Sequence, residues 1–289
     1  MQIKVIGTLS WPDISARRPF AELTFHVLAH VPNPTPGSLY DPAYIARVAT
    51  WLGAASDRTL GEDVRLLVEG TRDFAGYARI QNLAWLFATP EQAQKVAAVD
   101  ITALTPTQVE DPSALAALCA PAWQGLKNTI ELLRCAITLE SAVFQRLPSW
   151  NWSRDALRDW LRRVRSAAPS LDQFRISTLR SLGWRGRVRG REIWIGEPFE
   201  SGPSVAHLAF QAAHEASVAE LNDLDCSERE RESAALVLFA QRARAAGLAQ
   251  EHAKWLQHFG GTIGTDPVAL RRELRDAVEQ RLRTASDFD

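Results

Sequence analysis

Along this chain apolar residues recur at helical spacing more often than at strand spacing, and the polar residues between them mark where helices start. Asp41, Asp111 and Asp266 each stand directly before a proline, an N-cap followed by a residue pre-set for the first helical turn. Thr89-Pro90-Glu91-Gln92 repeats that signal and adds a capping box through Gln92. The spacing predicts helices near Ala43–Gly53, Pro90–Val99, Pro121–Leu147, Arg154–Ala167, Ser204–Asn222, Glu228–Ala246 and Pro267–Thr284, with a further pair between Arg65 and Phe87. In "FAELTFHVLAHV", Phe20, Leu23, Val27, Leu28 and Val31 form one more helical stripe. Two stretches read as β: "IKVIGTL" at the start, and the alternating, glycine-punctuated "FRISTLRSLGWRGRVRGREIWIG" from Phe174 to Gly196. The expected class is α+β, mainly α-helical, with a small antiparallel sheet or hairpin near 174–196.

Composition narrows the class without changing it. With 46% hydrophobic and 23% charged residues, the chain has the balance of a globular protein with ample core. The N-terminus lacks the charged start and apolar run of a secretory signal. No uncharged apolar stretch approaches the length of about 18 residues that a membrane span needs. Three scattered cysteines, Cys119, Cys135 and Cys226, suit a reducing compartment, so the expected location is cytoplasmic, with no membrane partner. A soft boundary at "LPSWNWS" divides a mainly helical lobe, 1–150, from a basic lobe with the hairpin, 151–289; the two either stand apart or pack as one domain.

Charge is unevenly spread. Residues Arg146 to Arg191 hold 12 arginines, no lysine and three acids, in a chain whose net charge is −1. Arg185, Arg187, Arg189 and Arg191 fall on alternate positions, a strand face of guanidinium groups, unless a turn at Arg189-Gly190 breaks the series. With Trp184 and Trp194 they form a candidate ligand-binding surface. Arginine forks and aromatic anchors suit an acidic or extended peptide; the same residues could stack and neutralise a nucleic acid, which the pI near 6.6 and the lack of lysine weigh against. The plainer reading is an internal contact with the chain's own acids, and that half or so of the tryptophans are core.

Candidate chemistry centres on "HLAFQAAHEASVAE", His207 to Glu220. Strand "REIWIGEP", a helix bearing His214-Glu215, and the helix "SERERESAALVLFAQRA" with Glu228, Glu230 and Glu232 follow in that order. Over Gly190–Ala246 this resembles the zincin-type metallopeptidases. The resemblance implies zinc, a late carboxylate ligand from the second helix, and Glu215 as the base that polarises water. The sequence departs from the family where a second histidine is required: Val218 stands there, and valine binds no metal. His207 lies two turns from His214, about 10 Å and too far to share an ion. A second cluster, Glu22, His26 and His30, falls at i, i+4 and i+8 beside the apolar stripe. Joined to His214 it would make a His/Glu site for zinc or non-haem iron; alone, it is as well an ordinary polar flank of a core helix. No phosphate-binding glycine loop and no G-x-S-x-G elbow occurs.

Three functions follow in order. The first is a peptide- or protein-segment-binding protein on a degenerate metallopeptidase-like scaffold, an accessory factor in peptide processing or modification. The second is a metal-dependent enzyme, hydrolase or non-haem iron oxygenase, using Glu22, His26, His30 and His214 with Glu215 as base. The third is nucleic-acid binding through the basic segment.

Overall fold

A computed structural model describes residues 14, 19–29, 40, 42–46, 81, 84–85, 153–183, 185–197, 204–263 and 272–286. The expected strand "IKVIGTL", the helices at Pro90–Val99 and Pro121–Leu147, the lobe boundary near 150, His30 and Trp184 lie outside them. Within them the protein is mainly helical with one small sheet, the expected α+β class. None of the described helices is long and apolar enough to cross a membrane.

Helix α1 is Pro19–Ala29 and helix α2 is Arg154–Val164. Ser153 caps α2 by accepting from the Ala156 amide, and Leu157, Leu161 and Val164 bury one stripe of it. Two tight turns then lead into β1, Arg175–Leu179; β2 is Gly186–Arg189 and β3 is Glu192–Gly196. The expected hairpin is β2–β3, turned at Gly190, whose φ of 55° is costly for any residue with a side chain. A purely antiparallel sheet is not realised: β1 pairs parallel with β3, giving the order β1-β3-β2. Strand alternation predicts a strand and its faces, but not its neighbour. Here β2 folds back on the far side of β3 and leaves β3's other edge to β1.

The two faces of this sheet serve different cores. Ile176, Ile193 and Ile195 point to one side, where they join Leu157, Leu161, Phe210, Phe239, Trp255 and Phe259. Leu179 and Trp194 point to the other, against Phe25 and Leu28 of α1, Tyr40 and Trp85. Trp194 was expected on a ligand-binding surface; instead it is fully buried, stacked on Trp85 with Phe25 edge-on. The cause is α1, which covers the face that Trp194 shares with Arg187.

Helix α3, Val205–Ala219, crosses the opposite face and is buried without a break from Leu208 to Val218. Six alanines along it let α2, β2 and β3 approach closely. Helix α4, Glu228–Ala245, starts with a reciprocal capping box between Ser227 and Glu230. Helix α5, Ala249–Ile263, runs through Gly260 and Gly261. Trp255 and Phe259 bury one of its faces, and tertiary packing of that kind outweighs the helical cost of glycine. His252 is buried there among Phe210, Phe239 and Trp255.

Helix α6, Arg272–Ser286, packs on α4 and holds the end of α3. Glu220 accepts from Ser170 Oγ at 2.6 Å and from Arg242 at 2.7 Å. Arg281 donates to the Glu220 backbone carbonyl at 3.1 Å and to both Asp223 carboxylate oxygens at 2.7 and 2.8 Å. Guanidinium groups at a helix C-terminus face its partial negative charge.

One substitution tests the sheet. A methyl on Gly196 would overlap the carbonyls of Leu182 and Gly183, which cross beside β3, whereas one on Gly190 meets nothing within 4 Å. Urea unfolding should show Gly196→Ala costing roughly 3 kcal/mol or more and Gly190→Ala about 1–2 kcal/mol, from backbone conformation alone. Equal costs would mean that the 182–183 crossing is not close.

Candidate functional site

His214 and Glu215 sit midway along α3, where burial leaves little water to satisfy them. His214 Nε2 lies 2.8 Å from Glu232 Oε2 of α4. A carboxylate oxygen only accepts, so this nitrogen carries the hydrogen and donates it. The ring packs on Phe259 and Trp255 of α5, with centroids 4.9 and 5.6 Å away. Its Nδ1 is buried without a hydrogen-bond partner among the described residues. Burial alone would raise the Glu232 pKa; the hydrogen bond from His214, with the charges of His214, Arg187 and Arg185, outweighs it and holds the group below the usual carboxylate range.

Glu215 is 4% exposed and accepts from Gln211 Nε2 at 2.9 Å, one helical turn back. Burial first, and the Glu232 charge second, push it up to about 7, against the smaller opposing effects of His214, Arg187 and Gln211. Its side chain runs beneath β2, where Gly186 makes room. A Cβ on that glycine would stand 2.6 Å from both Cγ and Oε1 of Glu215. Gly186 and Gln211 are thus part of the site although the sequence reading passed over them. Gln211 carried a usable signal, four residues before Glu215; Gly186 carried none, because its role depends on a contact between distant segments.

The arginine row divides. Arg185, just before β2, lies over the Phe259 ring at 5.2 Å, and burial lowers its pKa while Glu232, Glu215 and Glu228 offset part of that loss. Arg187 donates to the Gly186 carbonyl at 3.3 Å. Arg189 closes β2, and Arg191 falls in the hairpin turn, exposed and out of the row. Most arginines of α2 and the turns after it find acids of this chain: Arg158 with Asp155, Arg162 with Asp159, Arg165 with Asp172, and Arg163 with Glu251.

The described members of the proposed metal set, Glu22, His26 and His214, are not brought together. α1 and α3 lie on opposite faces of the sheet, so Glu22 and His26 are separated from His214. Glu22 accepts from the Arg180 amide at 2.9 Å just past β1, and His26 Nδ1 meets Tyr44 Oη at 2.5 Å. His26 is not a polar flank: α1 is buried all round there, and burial pushes its pKa down to about 3, so the ring is neutral. Nor do the residues fit a zinc of the zincin kind, which takes three protein donors. Among the described residues His214 and Glu232 offer two, and Val218 fills the third place. No group of three metal-ligating side chains stands together among the described residues.

The Glu215 shift has a stability consequence of fixed sign. Its folded pKa lies above its unfolded value, so the stability that it contributes is present below about pH 4.5 and is lost as pH rises through about 7. Relative to wild type, Glu215→Gln should therefore gain on the order of 3 kcal/mol between pH 4.5 and pH 8. Denaturant midpoints at the two pH values measure it; a pH-independent difference would mean that the carboxyl titrates normally.

Compared with protein-family models, with curated proteins and with solved structures, the chain matches none.

Proposed function

We propose that this protein binds an extended peptide or protein segment along the outer edge of β2, on a zincin-like frame whose hydrolytic ligand set is incomplete. An accessory role in processing or modifying a peptide, in the cytoplasm, follows from that reading. The observation that carries it is the edge itself. Gly196 N donates to Arg185 O at 3.1 Å, and antiparallel ladders alternate, so Arg185, Arg187 and Arg189 turn their backbone groups to β3. Gly186 and Val188 turn theirs outward. Among the described residues no strand pairs with that side, and such an edge is a template for strand addition.

The frame supports the same reading. An antiparallel edge strand lies over the helix that bears His214-Glu215, and the next helix sends Glu232 to His214. These are the positions in which the family resemblance would put substrate strand, first ligand and late carboxylate. With Val218 in the remaining ligand position, the binding half of that arrangement is the half whose parts are present. Nucleic-acid binding is less favoured, since the α2 arginines are paired with Asp155, Asp159, Asp172 and Glu251.

Strand addition is tested by removing outward donors. Val188→Pro deletes an amide that faces away from β3, so the ladder bonds survive. Against a fluorescent peptide alternating valine with glutamate, the variant should keep its fold by circular dichroism and lose affinity about tenfold, the equivalent of one or two hydrogen bonds. As a fold-independent arm, N-methylating one alternating set of the peptide's amides should abolish binding to wild type, while methylating the other set should not. Equal binding of both methylated peptides would overturn the reading.

A further inference from the structure

The edge of β2 carries a selector as well as a template. Arg187 shares the Trp194 face by register, yet α1 and Trp85 fill that face, and the guanidinium reaches the edge and donates to the Gly186 carbonyl at 3.3 Å. No carboxylate is paired with it among the described residues, whereas Arg158, Arg162, Arg165, Arg242 and Arg281 are each paired within 2.8 Å. It therefore occupies the carbonyl that an incoming strand would use, through a single long hydrogen bond and without a direct ion pair, although Glu215 and Glu232 lie near enough to feel its charge.

We propose that Arg187 selects segments with acidic side chains at alternate positions, by exchange. This rests on the strand-addition reading above. When an incoming amide takes the Gly186 carbonyl, the guanidinium is displaced at the point where a side chain of the new strand emerges. A glutamate or aspartate there accepts from it in a charge-assisted, two-pronged pair, which is stronger than the bond given up. The other side of the edge enforces the alternation. There Gly186 opens onto Glu215, with Glu232 behind it and Val188 alongside. A second carboxylate on that side would meet the negative charge of Glu232, while a small apolar side chain would meet Val188. The preferred segment is thus extended, with carboxylates on one face and apolar residues on the other.

The test compares the peptide alternating valine with glutamate against its counterpart in which glutamine replaces every glutamate. Wild type should prefer the glutamate peptide on the order of tenfold at low salt, and the preference should shrink in 0.5 M salt. In Arg187→Gln the ratio should fall to near one. If both peptides bind wild type equally, strand addition stands and selection by Arg187 is overturned. A preference that persists in the variant overturns it too, because another group would then carry it. If neither peptide binds wild type, the strand-addition reading fails and takes this inference with it. The salt series on wild type keeps the idea testable should the variant fold poorly.

Discussion

Everything near the site depends on the burial of α3 on all sides. A helix with one wet face can leave polar groups in water; α3, enclosed from Leu208 to Val218, cannot. Each polar residue in that span makes at least one hydrogen bond, although His214 Nδ1 and Gln211 Oε1 find no partner among the described residues. Ser217 donates back to the Ala213 carbonyl, Gln211 donates to Glu215, and His214 donates across to α4. Glu215 has the hardest position, and its answer is to hold its proton far above the usual range. The alanines that permit such close packing also bring the sheet near enough for Gly186 to be necessary. Dense packing and unusual acidity thus have one origin.

The same enclosure accounts for the character of the site. Two acids, a histidine and two guanidinium groups lie between α3, α4 and the β2 edge, with Trp255 and Phe259 as an aromatic floor. In such surroundings charges act on each other with little screening. Glu232 and Glu215 are pushed apart, one held below the usual carboxylate range by its partners and the other raised to about 7 by its setting.

Legibility in the sequence followed the range of the interaction. Helices α2, α3, α4 and α6 and the β2–β3 hairpin rest on local periodicity, caps and turn glycines, and they could be read directly. The pairing of β1 with β3 and the extension of α5 through Gly260 and Gly261 rest on contacts between distant segments, which no periodicity encodes. His26 misled for a related reason. Polar letters beside an apolar stripe look like a wet flank, and only the covering by other elements makes them core. The neutralisation of α2 was legible after all, since Asp155 precedes Arg158, and Asp159 precedes Arg162, by three residues each. Of the site, His214 and Glu215 could be named from the order of elements, and Glu232 only as one of three glutamates, with Glu228 and Glu230, on the next helix. That His214 and Glu232 bond to each other depended on two helices meeting.

The clamp on the end of α3 has a consequence for biogenesis. Glu220 and Asp223 are made well before Arg242 and Arg281, the cations that fix them, and Arg281 comes from α6. On the ribosome the helix bearing His214 and Glu215 therefore emerges with only Ser170, among these partners, already made to hold its C-terminal end, and it gains its full set of contacts only when α6 has emerged and docked.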